Sequence, residues 1–535
     1  MATTMEHRIA AEAKVLRSCL GDKWQVGAER GAPLVDPCDG TVLAWASSKG
    51  LDLKAALDYS RNVGVQELGK LTYARRAELL GRIADLLGAS RDKWYEIERK
   101  NSGNTKADAA IDVDGAIFTL KYFAKAGAKL GDAHMLRDGS PMRLARDQNF
   151  QGTHLGVSLD GVAVHINAFN FPAWGLWEKA AVSLLAGVPV LSKPATSTAW
   201  LAQEMVATVI EAGILPPGAL SILCGSANDL LDHLRLGDVV AFTGSAETGA
   251  GVRQHPRIQQ QGIRVNIEAD SLNAALLGPD GAPGSPAFDF FVREVVREMT
   301  LKTGQKCTAI RRVLVPAEHI AAATDAIRGA LSKVVVGNPA NPAVTMGPVV
   351  NMAQRKSVEE GIQRLSQQAQ IAYWPESFAP VDASTEQGAF VPPTLLKVNN
   401  SVDSEIVNEL EVFGPVATVI PYRDQQDAFA VARRGGGSLA ASVFSSDPVF
   451  LGEAAAALGT THGRLLLVDP SIGDSHAGHG IVLPSLMHGG PGRAGGGEEL
   501  GGLHGLWFYH QRVAIQGPAS TLSALVAQAA DPSEE

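Results

Sequence analysis

Cys307 is the residue of this sequence best suited to covalent chemistry. It lies in the loop Gly304-Gln305-Lys306-Cys307-Thr308, between a predicted helix at 288–302 and a predicted strand at 311–315. Unpaired backbone N–H groups at such a junction, together with the positive charge of Lys306, favour the thiolate form of a cysteine. The loop therefore predicts a nucleophile. The alternative is a buried cysteine that only fills space, which is common for this residue type.

Composition limits the class of protein that carries this loop. The chain has 535 residues, of which 45% are apolar and 19% charged, as expected for a globular protein of several domains. A net charge of −9 and a pI near 5.8 provide no basic surface for nucleic acid or an anionic membrane. We therefore expect no nucleic-acid partner and no membrane partner.

The cysteines and the N-terminal segment indicate the compartment. Cys19, Cys38, Cys224 and Cys307 are widely spaced and form no metal-ligand pattern, which favours a reducing environment. The first twenty residues mix charges into their apolar positions, and no apolar run approaches the length of a bilayer span. The expectation is a cytoplasmic protein that is neither exported nor embedded.

The elements that must position the chemistry alternate after residue 160. Strands are predicted at 162–166, 188–191, 220–223 and 239–242, with helices at 174–185, 198–211, 229–234 and 247–254. This alternation implies right-handed crossovers and a parallel, doubly wound sheet. Ligands bind beyond the carboxyl ends of such strands, so a cofactor site is expected where four loops meet, at 167–172, 192–196, 224–228 and 243–248.

The remaining regions complete the predicted domain organisation. Residues 1–150 are mostly helix-patterned, as at 73–87, and a Gly/Pro-rich break at 278–286 precedes a second alternating block. We predict a dinucleotide-binding domain over 1–140 and 156–283 and a catalytic domain over 284–485. The tail at 519–535 is predicted to be mobile.

Two further patterns resemble functional motifs, but neither is predicted to have that function. The literal GxGxxG at Gly490 to Gly495 has no preceding strand and no following helix, so a close-packed loop is predicted instead of a nucleotide motif. His476, His479 and His488 lack the HExxH spacing and nearby acidic partners of a metal site. The predicted metal content is therefore none.

Six short motifs follow one another along the chain. They are Asn170-Phe171-Pro172, Lys193-Pro194-Ala195, Phe242-Thr243-Gly244-Ser245, Glu268, Gly304-Gln305-Lys306-Cys307 and Glu411-Val412-Phe413-Gly414-Pro415. In this order they resemble the motif series of the aldehyde dehydrogenase superfamily over residues 30–515. Trp177-Glu178-Lys179, Glu298-Met299-Thr300 and the glycine-rich segment 489–502 are most similar to the branch that acts on CoA-linked semialdehydes in aerobic degradation of benzoate or phenylacetate.

This resemblance implies a fold and an assembly. The fold is the α/β aldehyde dehydrogenase fold, with a Rossmann-like parallel sheet for the cofactor, an α/β catalytic domain and a small oligomerisation hairpin. Segments 141–155 and 505–518 match the oligomerisation elements, which in the family pair between subunits. A homodimer or a dimer of dimers is therefore expected.

The resemblance also assigns catalytic roles. Cys307 matches the nucleophile, Asn170 supplies a side-chain amide to the oxyanion together with the backbone N–H at the cysteine, and Glu268 activates the water that hydrolyses the thioester. Lys179 and Glu499 match positions that carry protons between the site and solvent, and Glu498 is an alternative to Glu499.

The sequence departs from the family pattern directly after Glu268. Ala269-Asp270-Ser271-Leu272 stands where most members have Leu-Gly-Gly-Lys. The additional carboxylate and the lost glycines change the surroundings of Glu268. Residue type alone favours a solvated carboxylate at the end of a strand, but the position of Glu268 between Gly244 and Cys307 favours the base instead.

Cofactor binding is implied by the same match. The implied contacts are Ile166, Lys193, Thr196, Gly225, Gly244, Ser245, Glu411 and Phe413. Lys193 suits a ribose or phosphate contact, Ser245 and Gly244 suit the pyrophosphate, and Glu411 suits the nicotinamide ribose. NAD-preferring relatives often have a glutamate where this chain has Thr196. A neutral residue does not repel a 2′-phosphate, so NADP is the predicted cofactor.

Three functions stay open at this point. The first is NADP-dependent oxidation of a CoA-linked semialdehyde, in which water resolves the enzyme thioester. The second is a CoA-acylating dehydrogenase, which Glu268 disfavours because acylating enzymes characteristically lack that base. The third is a binding protein on an inactive scaffold, which the joint presence of Cys307, Asn170 and Glu268 disfavours.

Overall fold

The structure is a computed structural model that describes residues 8–401 and 405–533. Residues 1–7 of the predicted dinucleotide-binding domain, 402–404 of the predicted catalytic domain and 534–535 of the predicted tail lie outside the described residues. Most of the described chain folds around two seven-stranded sheets. Among its helices, none has the length and apolar character needed to cross a membrane.

The first sheet contains the strands predicted around the cofactor site. Its spatial order is Arg264–Glu268, Val239–Thr243, Ala163–Ile166, Val190–Lys193, Leu220–Ile222, Ser18–Leu20 and Lys23–Gln25. The first five strands are parallel, and the two N-terminal strands extend the sheet in antiparallel pairing. The parallel sheet predicted from the alternating pattern is confirmed.

Alternate residues of these strands face two separate hydrophobic cores. Ala163 and Val239 pack into one core, whereas Val164 and Val240 pack into another on the opposite face. Because strand side chains alternate with a period of two, burial on both faces requires helices on both sides of the sheet. The helices that follow strands of this sheet are Trp174–Ala186, Ala199–Glu211, Ala246–Gln254 and Pro256–Gln261.

The second sheet forms the other half of the molecule. Its order is Gln370–Tyr373, Thr394–Lys397, Val416–Tyr422, Arg312–Pro316, Ala274–Leu277, Ser438–Phe444 and His462–Val468. All pairs are parallel except that of the edge strand Gln370–Tyr373. The helices of this half are Pro286–Thr300, Ile320–Leu331, Met352–Leu365, Gln425–Arg433 and Pro448–Leu458.

The domain boundary predicted at 278–286 is wrong. Strand Ala274–Leu277 lies inside the second sheet, between Arg312–Pro316 and Ser438–Phe444. All four of its residues are apolar and buried, and such a strand is stable only where both faces are covered. The chain therefore crosses from the first sheet to the second between Glu268 and Ala274, before the Gly/Pro-rich break.

The N-terminal region contains more strand than its helical pattern predicts. Ile9–Val15, Val42–Ala46 and Ala32–Val35 form a three-stranded sheet, with turns at Gly31 and Gly40 that have φ of 76° and 74°. Glycine adopts this left-handed backbone without strain. Helical structure begins afterwards, over Leu53–Tyr59, the π-helical Ser60–Gly64, Val65–Gly69, Tyr73–Gly88, Arg91–Ser102 and Lys106–Ala128.

The predicted oligomerisation segments meet in a third sheet. Its order is His510–Pro518, Phe150–Ser158, Met135–Arg143 and Ala529–Ala530. The C-terminal strand was expected to pair between subunits. Within the chain it pairs with Phe150–Ser158 along its whole length and is the outermost strand of the sheet, so pairing between subunits stays a prediction.

The C-terminal tail is more regular than predicted. Helix Ala519–Val526 packs against the third sheet and buries Leu522 completely, and Ala529–Ala530 adds a short parallel strand. This part of the tail is therefore regular and packed, and its mobility stays a prediction. Among these small and polar residues, Leu522 is the apolar side chain whose burial holds the segment against the sheet.

The glycine-rich segment forms a hairpin that packs closely on the first sheet. Strand Met487–Gly489 pairs with Glu498–Leu500, and a Cβ at Gly495 would lie 2.2 Å from the carbonyl oxygen of Ile267. Glycine is required at such an approach because any side chain would collide with the backbone. The prediction of a close-packed loop at the GxGxxG match is confirmed.

Candidate active site

The chain before Cys307 turns through three left-handed residues. Lys302, Thr303 and Gly304 have φ of 51°, 55° and 67°. This conformation costs a residue other than glycine about 1 to 2 kcal/mol, so surrounding contacts must hold it. Thr303 Oγ1 donates to the carbonyl of Gly347 at 2.9 Å, and the Lys302 N–H donates to Asp108 at 2.7 Å. These hydrogen bonds to distant parts of the chain therefore hold the turn in its left-handed conformation.

One cavity brings Cys307 together with Asn170 and Glu268, and His488 also lines it. Asn170 follows strand Ala163–Ile166, and Glu268 ends the strand two positions away in the same sheet. The sulfur of Cys307, a carboxylate oxygen of Glu268 and a ring nitrogen of His488 lie within 4.8 Å of one another. A nucleophile, a carboxylate and an amide donor thus line one cavity.

Cys307 is held as a thiol in the free protein. Burial, and then the neighbouring carboxylate of Glu268, raise the pKa of Cys307 well above its ordinary value. Lys306, which was expected to favour the thiolate, donates to both carboxylate oxygens of Glu298 at 2.7 Å, and both side chains are buried. The expectation that Lys306 activates Cys307 is therefore wrong, because Glu298 neutralises its charge. The thiol needs a proton acceptor, and Glu268 lies beside it.

His488 forms an ion pair with Glu268 that sequence reasoning missed. Its Nε2 lies 3.2 Å from Glu268 Oε2, and both side chains are buried. Burial alone would raise the pKa of Glu268, but His488 and then Lys179 outweigh it and lower this pKa to about 2. Burial lowers the pKa of His488, but Glu268 raises it overall. These shifts favour an ionised carboxylate facing a protonated imidazole beside Cys307.

The three histidines grouped by sequence separate in the structure. His479 Nδ1 lies 2.5 Å from Ser442 Oγ, and its N–H donates to Glu294. In the part of the chain that the structure describes, two sets of donor atoms are close enough to share an ion. They are Glu268 with Cys307 and His488, and Glu178 with Glu268 and Glu499. Neither set contains His476 or His479.

A buried lysine joins two carboxylates behind Glu268. Lys179 Nζ lies 3.0 Å from Glu499 Oε2 and 3.0 Å from Glu178 Oε1. Oxygens of Glu178, Glu268 and Glu499 lie within 4.8 Å of one another. Burial lowers the pKa of Lys179, but Glu499 and Glu178 raise it overall, so the ammonium is retained. Sequence reasoning assigned no role to Glu178, although it precedes Lys179 in the motif.

The structure distinguishes the two neighbouring glutamates of the hairpin. Glu499 contacts Lys179, whereas the Glu498 side chain is exposed and its N–H donates to Asn266 Oδ1 at 2.8 Å. Because strand side chains alternate, only one of two adjacent residues can face the site. Glu499 is the residue that does so.

A second cavity adjoins the first and contains most of the predicted cofactor residues. Its lining includes Ile166, Lys193, Thr196, Gly244, Ser245, Glu411 and Phe413, and Asn170, Glu268 and Cys307 line it as well. Gly225 lies behind this wall, where its carbonyl accepts a hydrogen bond from Thr196 Oγ1 at 3.1 Å. The strand ends thus share one edge, as expected for a doubly wound sheet.

The charges of this cleft fit a phosphate-bearing ligand. Burial lowers the pKa of Lys193, and within residues 8–401 and 405–533 no carboxylate forms an ion pair with it. Ser245 caps helix Ala246–Gln254, with its Oγ accepting from the Thr248 N–H at 3.2 Å. Lys193, which has no counter-ion there, is thus a donor that a pyrophosphate can use, whereas the N–H groups of Ala246 and Thr248 are already bonded to Asp270 and Ser245.

Glu411 and Phe413 form the far wall of the cleft. Burial raises the pKa of Glu411 to about 7, although Arg311, 3.5 Å away, opposes the shift. Glu411 Oε2 accepts from the Ser271 N–H at 3.0 Å. Phe413 packs edge-to-face on Phe169 with ring centres 5.7 Å apart. The wall therefore presents a carboxylate and an aromatic face.

The unusual residues after Glu268 have identifiable contacts. Asp270 accepts from the Ala246 N–H at 2.9 Å, at the start of the helix that Ser245 caps. Ser271 Oγ donates to Asn273 at 2.6 Å, and Asn273 Nδ2 in turn donates to the carbonyl of Cys307 at 2.7 Å. The departure from the family pattern thus leaves Glu268 in the cavity and connects the segment after it to the cysteine turn.

Comparisons with known proteins agree with this architecture. The chain is 53% identical over 470 residues to 3,4-dehydroadipyl-CoA semialdehyde dehydrogenase of Aromatoleum evansii, covering 88% of this chain and 91% of that protein. It is 26% identical over 449 residues to retinal dehydrogenase 2 of Mus musculus, covering 82% and 81%. Betaine aldehyde dehydrogenase of Staphylococcus aureus, solved with NAD+, superposes with a TM-score of 0.81 at 23% identity, covering 94% and 95%.

The family assignment follows from the extent of these matches. Residues 24–509 match the model of the aldehyde dehydrogenase family, which is most of the chain. A solved aldehyde dehydrogenase of Bacillus cereus gives a TM-score of 0.80 at 20% identity over 94% of this chain and 96% of that one, which shows the same fold. The chain therefore belongs to the aldehyde dehydrogenase family.

Proposed function

We propose that this protein oxidises 3,4-dehydroadipyl-CoA semialdehyde to the carboxylic acid with NADP, in the degradation of benzoate. The identity of 53% to a protein of that name, over about nine-tenths of both chains, supports the substrate. The observation that carries the reaction type is the shared wall of the two cavities. Cys307, Glu268 and Asn170 line both the enclosed pocket and the cleft that fits a nicotinamide cofactor.

The first step is attack of Cys307 on the aldehyde. A C–S bond forms while the thiol proton passes to Glu268, and the carbonyl oxygen becomes an oxyanion. Asn170 Nδ2 and the Cys307 N–H are the proposed donors to that oxyanion. In the described part of the chain the Cys307 N–H makes no hydrogen bond, so it is free for this task. One such donor lowers the barrier by about 3 to 4 kcal/mol.

A bound nicotinamide cofactor supplies the hydride acceptor that converts the adduct into a thioester. Lys193, Ser245 and Glu411 are the proposed contacts with its ribose and phosphate groups. Thr196 provides the proposed preference for NADP, because it is neutral and its hydroxyl donates to Gly225. No carboxylate at that position opposes a 2′-phosphate.

Hydrolysis releases the product. After the thiol proton has left Glu268, water adds to the thioester carbon as its own proton passes to Glu268, and the C–S bond then breaks to free the acid and Cys307. The proton on Glu268 must leave the buried site before the next turnover. The cluster of Glu178, Lys179 and Glu499 connects Glu268 with another small cavity, separate from the cofactor cleft and lined by Tyr509. This cluster is the proposed route for the proton.

Product analysis separates this function from its alternatives. A CoA-linked semialdehyde incubated with NADP and no free CoA should yield NADPH and carboxylic acid in equal amounts. A strict requirement for free CoA would instead indicate the acylating reaction. Cofactor binding without turnover of any aldehyde would indicate a binding protein. A panel of CoA-linked semialdehydes then distinguishes the benzoate substrate from the phenylacetate one.

We also propose a homodimer formed through the third sheet. Met142, Phe150, Val157 and Val513 are large apolar side chains of its strands that remain exposed, between 37% and 54%. Covering such a surface with a second copy would remove it from water. Sedimentation velocity at micromolar concentration should give twice the mass of the chain, and a monomer would contradict the proposal.

A cytoplasmic location is proposed on the state of the cysteines. All four cysteines are free thiols in the structure, as a reducing compartment would keep them. Fractionation of the cells that produce the protein, with immunodetection, tests this location.

A further inference from the structure

His488 is placed by the glycine-rich hairpin with a fixed register relative to Glu268. The hairpin is bonded to strand Arg264–Glu268, with the Gly497 N–H donating to the carbonyl of Ile267 at 3.2 Å. Within the hairpin, His488 is the direct cross-strand partner of Glu499. One backbone arrangement therefore delivers both His488 and Glu499 to the surroundings of the same carboxylate.

The two oxygens of Glu268 have different surroundings. Oε2 faces His488 Nε2 at 3.2 Å, whereas Oε1 is buried and bonds to no nitrogen or oxygen donor in the described part of the chain, with the Cys307 thiol beside the carboxylate. The side chain reaches the wall of the cavity that contains Cys307. A buried carboxylate oxygen without such a donor costs free energy, so its presence at the nucleophile calls for a functional explanation.

The charges around His488 favour its protonated form at this position. Glu268 and Glu178 contribute negative charge, Arg464 opposes them, and Cys307 lies close by as a neutral thiol. The Arg464 guanidinium donates to the carbonyl of His479 at 3.0 Å. The imidazole Nδ1 is buried and makes no hydrogen bond in the described residues. In the described residues, the Glu268 carboxylate is thus the only polar group that the His488 imidazole contacts.

We propose that His488 is a positioning residue for Glu268, holding Oε2 as an imidazolium so that Oε1 stays ionised and directed at Cys307 and the hydrolytic water. This inference rests on the proposed role of Glu268 as the base. In hydrolysis, the water oxygen bonds to the thioester carbon, its proton moves to Oε1, and the C–S bond breaks with its electron pair going to sulfur. His488 keeps its own proton throughout and contributes charge and orientation.

Ester hydrolysis provides a readout that needs no cofactor. A thiolate attacks p-nitrophenyl acetate to form the same kind of enzyme thioester, which water must then resolve. The rate is measured from roughly pH 5 to 9 for the unchanged protein, His488→Gln and His488→Phe. Glutamine keeps the size and one donor without the charge, whereas phenylalanine removes both.

The expected results separate charge from orientation. In the unchanged protein the acid limb lies below the measured range, because the pKa of Glu268 is about 2. In both variants the limb should move into that range, because a buried carboxylate without a positive neighbour binds its proton more tightly. The plateau of His488→Gln should stay within about threefold of the unchanged protein, and that of His488→Phe should fall about tenfold or more. His462→Gln, a change at another buried histidine, should leave the acid limb in place.

Defined outcomes overturn the proposal. Acid limbs that stay below the measured range in both variants, as in the unchanged protein, would show that His488 only fills space, even if the plateaus fell. Should His488→Gln fail to bind NADP and thus to fold, His488→Asn is measured and judged by the same criterion. If the unchanged protein oxidises an aldehyde and the limbs do not move, this inference alone fails. If it oxidises no aldehyde, the proposed function fails.

Discussion

Lys302 Nζ lies 2.9 Å from Glu98 Oε1, which joins the turn before Cys307 to helix Arg91–Ser102. Both side chains are fully buried, and the same ammonium lies 4.6 Å from the centre of the Phe171 ring. Phe171 directly follows Asn170 in the wall of the catalytic cavity. The pair therefore connects the nucleophile turn with the loop that carries the proposed oxyanion donor.

Replacing Lys302 should destabilise the protein and disturb the site together. Lys302→Met leaves Glu98 buried without its counter-charge, which costs about 3 to 5 kcal/mol. Urea unfolding should show this loss, and the esterase rate should fall even where the protein is folded. Lys356→Met, at an exposed lysine, should change the free energy of unfolding by no more than about 0.5 kcal/mol. Equal stability of the two variants would contradict the role of the pair.

Glu268→Gln should slow both steps that use this base, the attack by Cys307 and the hydrolysis, and the thioester accumulates if hydrolysis is the slower of the two. Glutamine cannot accept a proton from water, so turnover should fall by a factor of about 10² to 10⁴. Mass spectrometry of the enzyme mixed with aldehyde and NADP should then show an acyl group on Cys307. Cys307→Ala provides the control, because it should carry no adduct. A Glu268→Gln protein with normal turnover and no adduct would assign the base elsewhere.

The two adjacent glutamates of the hairpin offer a matched test of the proton route. Glu499→Gln removes the carboxylate that contacts Lys179, so turnover should fall about tenfold. Glu498→Gln changes an exposed side chain and should leave turnover within about twofold. Steady-state rates with one aldehyde decide between them. Similar losses in both variants would argue against a route through Glu499.

Cofactor preference should depend on Thr196. Thr196→Glu places a carboxylate in the cleft, and its repulsion of a 2′-phosphate should raise the KM for NADP relative to that for NAD by at least about tenfold. Thr196→Ser keeps the hydroxyl and should leave the ratio unchanged. A parallel change of both KM values in Thr196→Glu would show that this position does not contact the 2′ group.

The affinity for cofactor should weaken as pH falls through about 7. Burial raises the pKa of Glu411 to about 7, so below that pH the carboxyl is protonated and accepts ribose hydroxyls less well. The sign for stability is the opposite, because the raised pKa adds stability at low pH that is lost as pH rises through about 7. Fluorescence titration from roughly pH 5.5 to 8.5 measures the affinity.

Glu411→Gln isolates this titration from that of the ligand. The pH dependence of NADP affinity in this variant should follow only the ionisation of the phosphate groups of NADP, because the glutamine side chain does not titrate. If both proteins show the same pH dependence, Glu411 does not contact the ribose.

Much of the architecture could be predicted from the sequence alone. The alternation of strands and helices between residues 162 and 254 predicted a parallel sheet, and the sheet is present. Carboxyl ends of parallel strands share one edge, which predicted a common cleft for the loop of Asn170 and the cofactor loops, whereas the arrival of Glu268 and Cys307 there was implied by the family resemblance. These inferences succeed because period and chain order are local properties that a sequence records directly.

The electrostatics of the site were decided only by the tertiary structure. Lys306 is neutralised by Glu298, Glu268 is paired with His488, and Lys302 is paired with Glu98. Strand Ala274–Leu277 likewise joins the second sheet, although the sequence break comes after it. The partner of a buried charge, or of a buried strand, is chosen by which distant segments pack together. Composition and periodicity do not predict these partners, because the stabilising contact exists only once the chain has folded.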